Sequence, residues 1–148
     1  MREILVLLKP DIVAHKFLAK VTLAEILAAG VEVRGAKKVR LTDDTARQLY
    51  AVHREKFFYQ RLLRHVTSGD VIAMKVVGDV RAVIGGSKTW PRDYEAGLTT
   101  RQRFALSDVR NVAHASDAEE APRELSLFEP FPAFTQGLAI FDDRAQIA

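Results

Sequence analysis

Ile4-Leu5-Val6-Leu7-Leu8 is an unbroken apolar run with the length of a buried β-strand, closed by Lys9-Pro10-Asp11, where proline keeps the residue before it extended. The lysine falls at the carboxyl end of that strand, where ligands commonly meet the sheet of a mixed α/β fold. Over residues 16–29 the period changes. Phe17, Leu18, Val21, Leu23, Ala24, Ile26 and Leu27 recur at helical spacing, and Gly30 is a natural stop. Residues 31–41 alternate less cleanly and read as a half-exposed strand with a bulge near Gly35. Thr42-Asp43-Asp44 supplies capping chemistry for a helix carrying Ala46, Leu49 and Tyr50. A second helical piece over residues 55–66 carries Phe57, Phe58, Leu62 and Leu63.

Residues 71–77 form the next buried strand, followed by a short helix over residues 80–84. Residues 87–104 have little periodicity, and a long irregular segment inside a compact domain is usually a functional loop. Residues 109–113 make a fourth strand, and the helix after it carries Leu125, Leu127 and Phe128 and stops before Pro130 and Pro132. This order predicts an α/β chain of the α+β sandwich kind: a ferredoxin-like, four-stranded antiparallel sheet covered by helices on one face. The domain is expected to span residues 1–132. A tail, 133–148, carries Phe134, Leu138, Ile140 and Phe141 and is expected to pack on the domain or on a neighbouring subunit.

With 148 residues, 48% hydrophobic and 28% charged, the chain has room for one ordinary globular core. It has no cysteine, which excludes disulfides, thiolate catalysis and cysteine-based zinc sites. The Ile4–Leu8 run is too short for a signal-peptide core, and no stretch approaches a membrane span, so a cytoplasmic protein is expected. The net charge of +3 comes from 22 basic and 19 acidic residues interspersed along the chain. Arg34, Lys37, Lys38 and Arg40 come closest to a basic stripe, but at strand alternation they read as a solvated face, and no specific nucleic-acid partner is expected.

The candidate chemistry lies in Arg110-Asn111-Val112-Ala113-His114-Ala115-Ser116-Asp117. Ser116-Asp117-Ala118-Glu119 reads as a capping box, which places His114 just before a helix N-terminus, where backbone N–H groups favour an anion. A histidine there can be a phosphate ligand, a proton shuttle, a nucleophile, or a hydrogen-bonded residue at a strand end with no chemistry.

Several separated pieces together resemble the nucleoside diphosphate kinases. The resemblance runs from about Glu3 to Phe128. Leu5-Val6-Leu7-Leu8-Lys9-Pro10-Asp11 is similar to the family's opening strand and Lys-Pro-Asp turn. Tyr50, His53 and Phe57-Phe58 resemble its Tyr-x-x-His segment and aromatic pair, and Ser68-Gly69-Asp70-Val71 the entry to its third strand. Thr99-Thr100-Arg101 with Phe104 is similar to its Thr-x-Arg segment, and residues 110–117 to its Arg-Asn-x-x-His-Gly-Ser-Asp signature.

The resemblance implies ping-pong transfer of a terminal phosphoryl group from a nucleoside triphosphate to a nucleoside diphosphate through phosphorylated His114. It implies that Glu124 holds the second imidazole nitrogen, that Lys9 and Arg101 face the phosphates, and that Asn111 and Lys9 contact the sugar. It further implies that Phe58 stacks on the base, that Tyr50 orients the phosphate site and that Thr89 contacts phosphate. The implied cofactor is Mg2+, carried by the nucleotide phosphates, and the implied assembly is a homo-oligomer: a dimer, tetramer or hexamer.

Ala115 stands where the family has glycine, and Ile12 where it often has one. Residues 80–89 are a few positions short, leaving Arg81, Lys88 and Arg92 as candidates for the family's second phosphate-binding arginine. The rival expectation is a degenerate member that binds nucleotide or a protein partner without turnover.

Overall fold

A computed structural model describes residues 2–84, 112–134, 140 and 146–147. Strand β1 (Ile4–Leu8) lies between two antiparallel neighbours: β3 (Val71–Val77), in register from Ile4 opposite Val76 to Leu8 opposite Ile72, and β4 (Ala113–Ala115). Strand β2 (Glu32–Arg40) pairs antiparallel with β3 on its other side. These are the four antiparallel strands expected. A short β5 (Gln146–Ile147) adds a parallel fifth beside β2, giving the order β4-β1-β3-β2-β5.

Helices cover both faces of the sheet, which corrects the expectation of one covered face. Alternate β1 side chains point to opposite sides. Leu5 and Leu7 pack with α3 (Asp43–Leu49), α4 (Tyr59–Val66) and α6 (Ala121–Ser126). Val6 and Leu8 pack with α2 (Lys16–Ala28) and α5 (Arg81–Ile84). Burial on both sides is the physical reason that β1 reads as an unbroken apolar run rather than an alternating one. Between β1 and α2, Pro10 opens a one-turn helix, α1 (Pro10–Val13), as its fixed φ favours.

Three element boundaries differ from expectation. The helix expected over residues 55–66 begins only at Tyr59, because residues 50–59 descend through successive tight turns, with Lys56 N–H bonded to His53 O and Tyr59 N–H to Lys56 O. Strand β4 starts at Ala113, so His114 sits within it rather than after it, and residues 109–111 lie outside the described residues. The helix bearing Leu125 ends at Ser126, leaving Leu127 and Phe128 just beyond it.

The bulge near Gly35 is present, as a register shift between Val33 and Gly35. A side chain added at Gly35 would place its Cβ 2.7 Å from Phe131 Cβ and 3.1 Å from Pro132 O. The Ala36 N–H to Pro132 O bond pins that neighbour in place. Gly35→Ala is therefore expected to destabilise the fold by about 1–3 kcal/mol, read as a lower urea midpoint at unchanged slope. From the tail, Phe134 packs against the α2-side core and Ile140 is buried in it. Leu138 and Phe141 lie outside the described residues.

Candidate active site

Ala113 and Ala115 turn toward the α2-side core, which sends His114 to the opposite face, where α3 ends and α6 begins. There its Nε2 lies 2.6 Å from Glu124 Oε1, and the Tyr50 ring meets the imidazole edge-on at 5.3 Å and 78°. Glu124 is only 3% exposed. Its Oε1 also accepts from Ser116 Oγ at 2.8 Å, and Ser116 Oγ in turn accepts from Leu5 N–H at 3.2 Å, so the clamp on His114 is anchored to the central strand.

Ser116 is thus not a helix cap, contrary to the capping-box expectation. Helix α6 starts at Ala121, with Pro122 in its first turn and Glu120 before it, too far along the chain for Ser116 to reach its N–H groups. The proline was the signal against the capping box, since it tolerates only a helix start. An ionised carboxylate accepts and does not donate. With Glu124 ionised, Nε2 carries the ring proton and Nδ1 keeps the lone pair.

Val112, immediately before β4, has φ of 85°, a conformation that costs a β-branched residue on the order of 1–3 kcal/mol. Two backbone contacts hold it there. Lys9 N–H donates to Val112 O at 2.8 Å, and Val112 N–H donates to Asp11 Oδ2 at 3.0 Å. Backbone strain therefore sits at Val112 and not at Ala115, whose alanine lies in the regular ladder opposite Val6. Lys9, buried at the end of β1, joins the same turn, and its charge is felt at His53.

A row of rings leads outward from His114. Tyr50 lies 6.3 Å from His53, His53 lies 5.5 Å from Phe58, and Phe58 lies 5.5 Å from Phe57, which is 86% exposed. Burial, and then the neighbouring His114, Lys56 and Lys9, push the His53 imidazole below its ordinary range against an opposing pull from Glu124. Its folded pKa lies below its unfolded one, so below about pH 6.5 the unfolded chain binds more protons and stability falls. His53→Gln is expected to flatten the pH dependence of the urea midpoint in that acidic window.

The structure thus brings His114, Glu124 and Tyr50 into contact, with Lys9 and Phe58 flanking them. Thr89, Arg101 and Asn111 lie outside the described residues, as do Lys88 and Arg92. Arg81 does not point into this cluster. It is on α5, on the other face of the sheet, and its guanidinium is bonded to Asp117 Oδ1 at 2.5 Å and to Ala115 O at 3.4 Å.

An imidazole clamped through one nitrogen, with the other in a partly open setting, is equipped as a nucleophile or a base. A model of the nucleoside diphosphate kinase family matches residues 2–133. A nucleoside diphosphate kinase from Metallosphaera sedula is 40% identical over 129 residues, covering 83% of this chain and 89% of the relative. One from Sulfurisphaera tokodaii is 38% identical over 129 residues, covering 83% and 85%. Among solved structures, the Aquifex aeolicus nucleoside diphosphate kinase superposes with a TM-score of 0.77 at 30% identity, covering 87% of this chain and 96% of that one. A Halobacterium salinarum enzyme of that name, in complex with CDP, superposes with a TM-score of 0.78 at 24% identity, covering 97% and 99%. Matched by the family model over residues 2–133 and aligned over most of its length with enzymes of one activity, the chain belongs to the nucleoside diphosphate kinase family and is a phosphotransferase acting on nucleotides.

Proposed function

We propose that His114 is the residue through which this kinase passes its phosphoryl group, and that Nδ1 is the attacking atom. The observation that carries this reading is the bond between Nε2 and Glu124, which fixes the tautomer and leaves the Nδ1 lone pair for phosphorus. In the first half-reaction a bond forms from Nδ1 to the terminal phosphorus and the bond from that phosphorus to its bridging oxygen breaks, releasing a nucleoside diphosphate. The positive charge that develops on the ring is stabilised through Nε2–H by Glu124. In the second half, a terminal oxygen of another diphosphate attacks the phosphohistidine and the N–P bond breaks, restoring neutral His114.

Such transfer asks mainly for positioning and for positive charge on the equatorial oxygens. Lys9 supplies that charge at the end of β1, and Arg101 and Thr89 are the further phosphate contacts of this reading. Asn111 and Lys9 hold the sugar, Tyr50 packs the nucleophile, and Phe58 offers its ring to the base. Stacking with sugar and phosphate contacts reads no base edge, so the reading includes indifference to the base.

Among the described residues no three histidine, aspartate or glutamate side chains converge on a metal. The Glu124 oxygen nearest the site is committed to His114 and Ser116. Magnesium on this reading travels with the nucleotide phosphates, whose oxygens and waters suit a hard octahedral cation. A homo-oligomer and a cytoplasmic setting complete the proposal, with residues 1–132 as the catalytic unit and 133–148 as its tail. Among the described residues no helix is long and apolar enough to cross a membrane.

The test is incubation with terminally labelled ATP and magnesium followed by a GDP chase. An acid-labile, base-stable label on the peptide containing His114, discharged to GTP by the chase, is the expected result. Label on another residue, or nucleotide binding without label, would overturn the assignment.

A further inference from the structure

We infer that His65 is a positioning residue for phosphoryl transfer, acting through Asp11 on the strained Val112 that sets the start of β4. The inference rests on the assignment of His114 as nucleophile. His65 lies in the last turn of α4, remote in sequence from His114 and Glu124, and its Nε2 is 2.9 Å from Asp11 Oδ1. The two side chains are 9% and 3% exposed. The other oxygen of the same carboxylate receives Val112 N–H, two residues before His114. One carboxylate thus ties the α4 helix to the backbone that carries the nucleophile.

Hydrogen bonds engage both oxygens of this carboxylate. Behind the Asp11 turn lies an open cavity of about 520 Å3, lined among others by Pro10, Asp11, His65 and Gly69. A carboxylate beside such a space can swing unless both oxygens are engaged. His65 supplies the donor on the Oδ1 side, because a carboxylate there can only accept. Without it Asp11 is free to turn away from Val112, whose φ of 85° then loses the restraint on its N–H. Relaxation of Val112 shifts His114 relative to a bound phosphate. A small misplacement of a reacting group affects the transition state more than ground-state binding, so the rate suffers and nucleotide affinity does not.

The experiment compares wild type, His65→Phe, His65→Gln, Asp11→Asn and the Asp11→Asn/His65→Phe double variant. The readouts are single-turnover labelling of His114 by ATP and steady-state kcat and KM. Phenylalanine keeps the ring volume and removes the donor, and it is expected to lower the labelling rate and kcat about tenfold with KM within about twofold. Glutamine, whose amide N–H can replace Nε2–H, is expected to stay within about threefold of wild type. The double variant is expected to be no slower than Asp11→Asn alone, since both changes cut one connection.

Unchanged kcat in His65→Phe would overturn the inference, as would a tenfold loss in His65→Gln or additive losses in the double variant. Should His65→Phe fail to fold, His65→Leu takes its place as the variant without a donor, with the same tenfold loss of kcat expected and an unchanged kcat overturning the inference. Wild-type labelling at a residue other than His114 is a separate failure, of the nucleophile assignment itself.

Discussion

His114→Ala is expected to abolish the ATP-dependent label and to lower phosphoryl exchange by about five to six orders of magnitude, the scale for removing a nucleophile that works as a unit with its supporting carboxylate. The fold should survive. The ring is partly open, at 18% exposure, on a three-residue strand, and Ser116 still satisfies Glu124 after its removal. Circular dichroism and the urea midpoint of the variant should therefore stay close to wild type while exchange falls to background. If exchange persisted, His53 would be the imidazole to remove next. It stands in the same row of rings, 6.3 Å from Tyr50, and its lowered pKa keeps it neutral and hence nucleophilic.

Glu124→Ala is the second large expected effect, and it strikes activity and stability together. The carboxylate fixes the His114 tautomer, stabilises the charge that develops on the ring and satisfies Ser116 Oγ. Its loss is expected to lower kcat about a hundredfold or more, as for other carboxylates that orient a working histidine. Nε2–H and Ser116 Oγ then lose that acceptor, with Ser116 Oγ left its longer bond to Leu5 O at 3.4 Å, at a cost of about 1–3 kcal/mol read as a lower urea midpoint. Ser116→Ala should be milder, about tenfold or less in kcat, because Glu124 still reaches Nε2 without the hydroxyl. Glu124→Gln separates geometry from charge: its amide oxygen can still accept from Nε2–H but cannot neutralise the developing imidazolium. A rate for Gln close to that of Ala would assign the main role to charge, and a rate close to wild type would assign it to orientation.

The Lys9 turn and the His114 segment were legible as separate pieces because each follows local rules: an apolar run broken by proline, and a histidine between a strand-like pair and polar residues. Their meeting was not legible from periodicity. It arises because β4 pairs with β1, which brings Ser116 to Leu5 and Val112 to Lys9 across more than a hundred residues of chain. Ser116 illustrates the limit. Its local pattern is that of a helix cap, yet tertiary pairing commits its hydroxyl to Glu124, and Pro122 starts the helix later. The same holds for Asp11. Within the Lys9-Pro10-Asp11 turn it reads as a turn residue, and only the folded chain places His65 on one of its oxygens and Val112 on the other.

The sequence by itself determined the four antiparallel strands and the main helices, the bulge at Gly35, and the family to which the chain belongs. Each of these is carried by short-range periodicity, by turn chemistry or by motifs whose order along the chain is itself the signal. Only the tertiary structure decided that helices cover both faces of the sheet, that Arg81 is tied to Asp117 away from His114, and that strain collects at Val112 rather than Ala115. The physical reason is common to all three. Each depends on which groups distant in sequence the fold brings together, by apolar packing, by ion pairing or by backbone hydrogen bonding, and such meetings leave no period in the residues that take part.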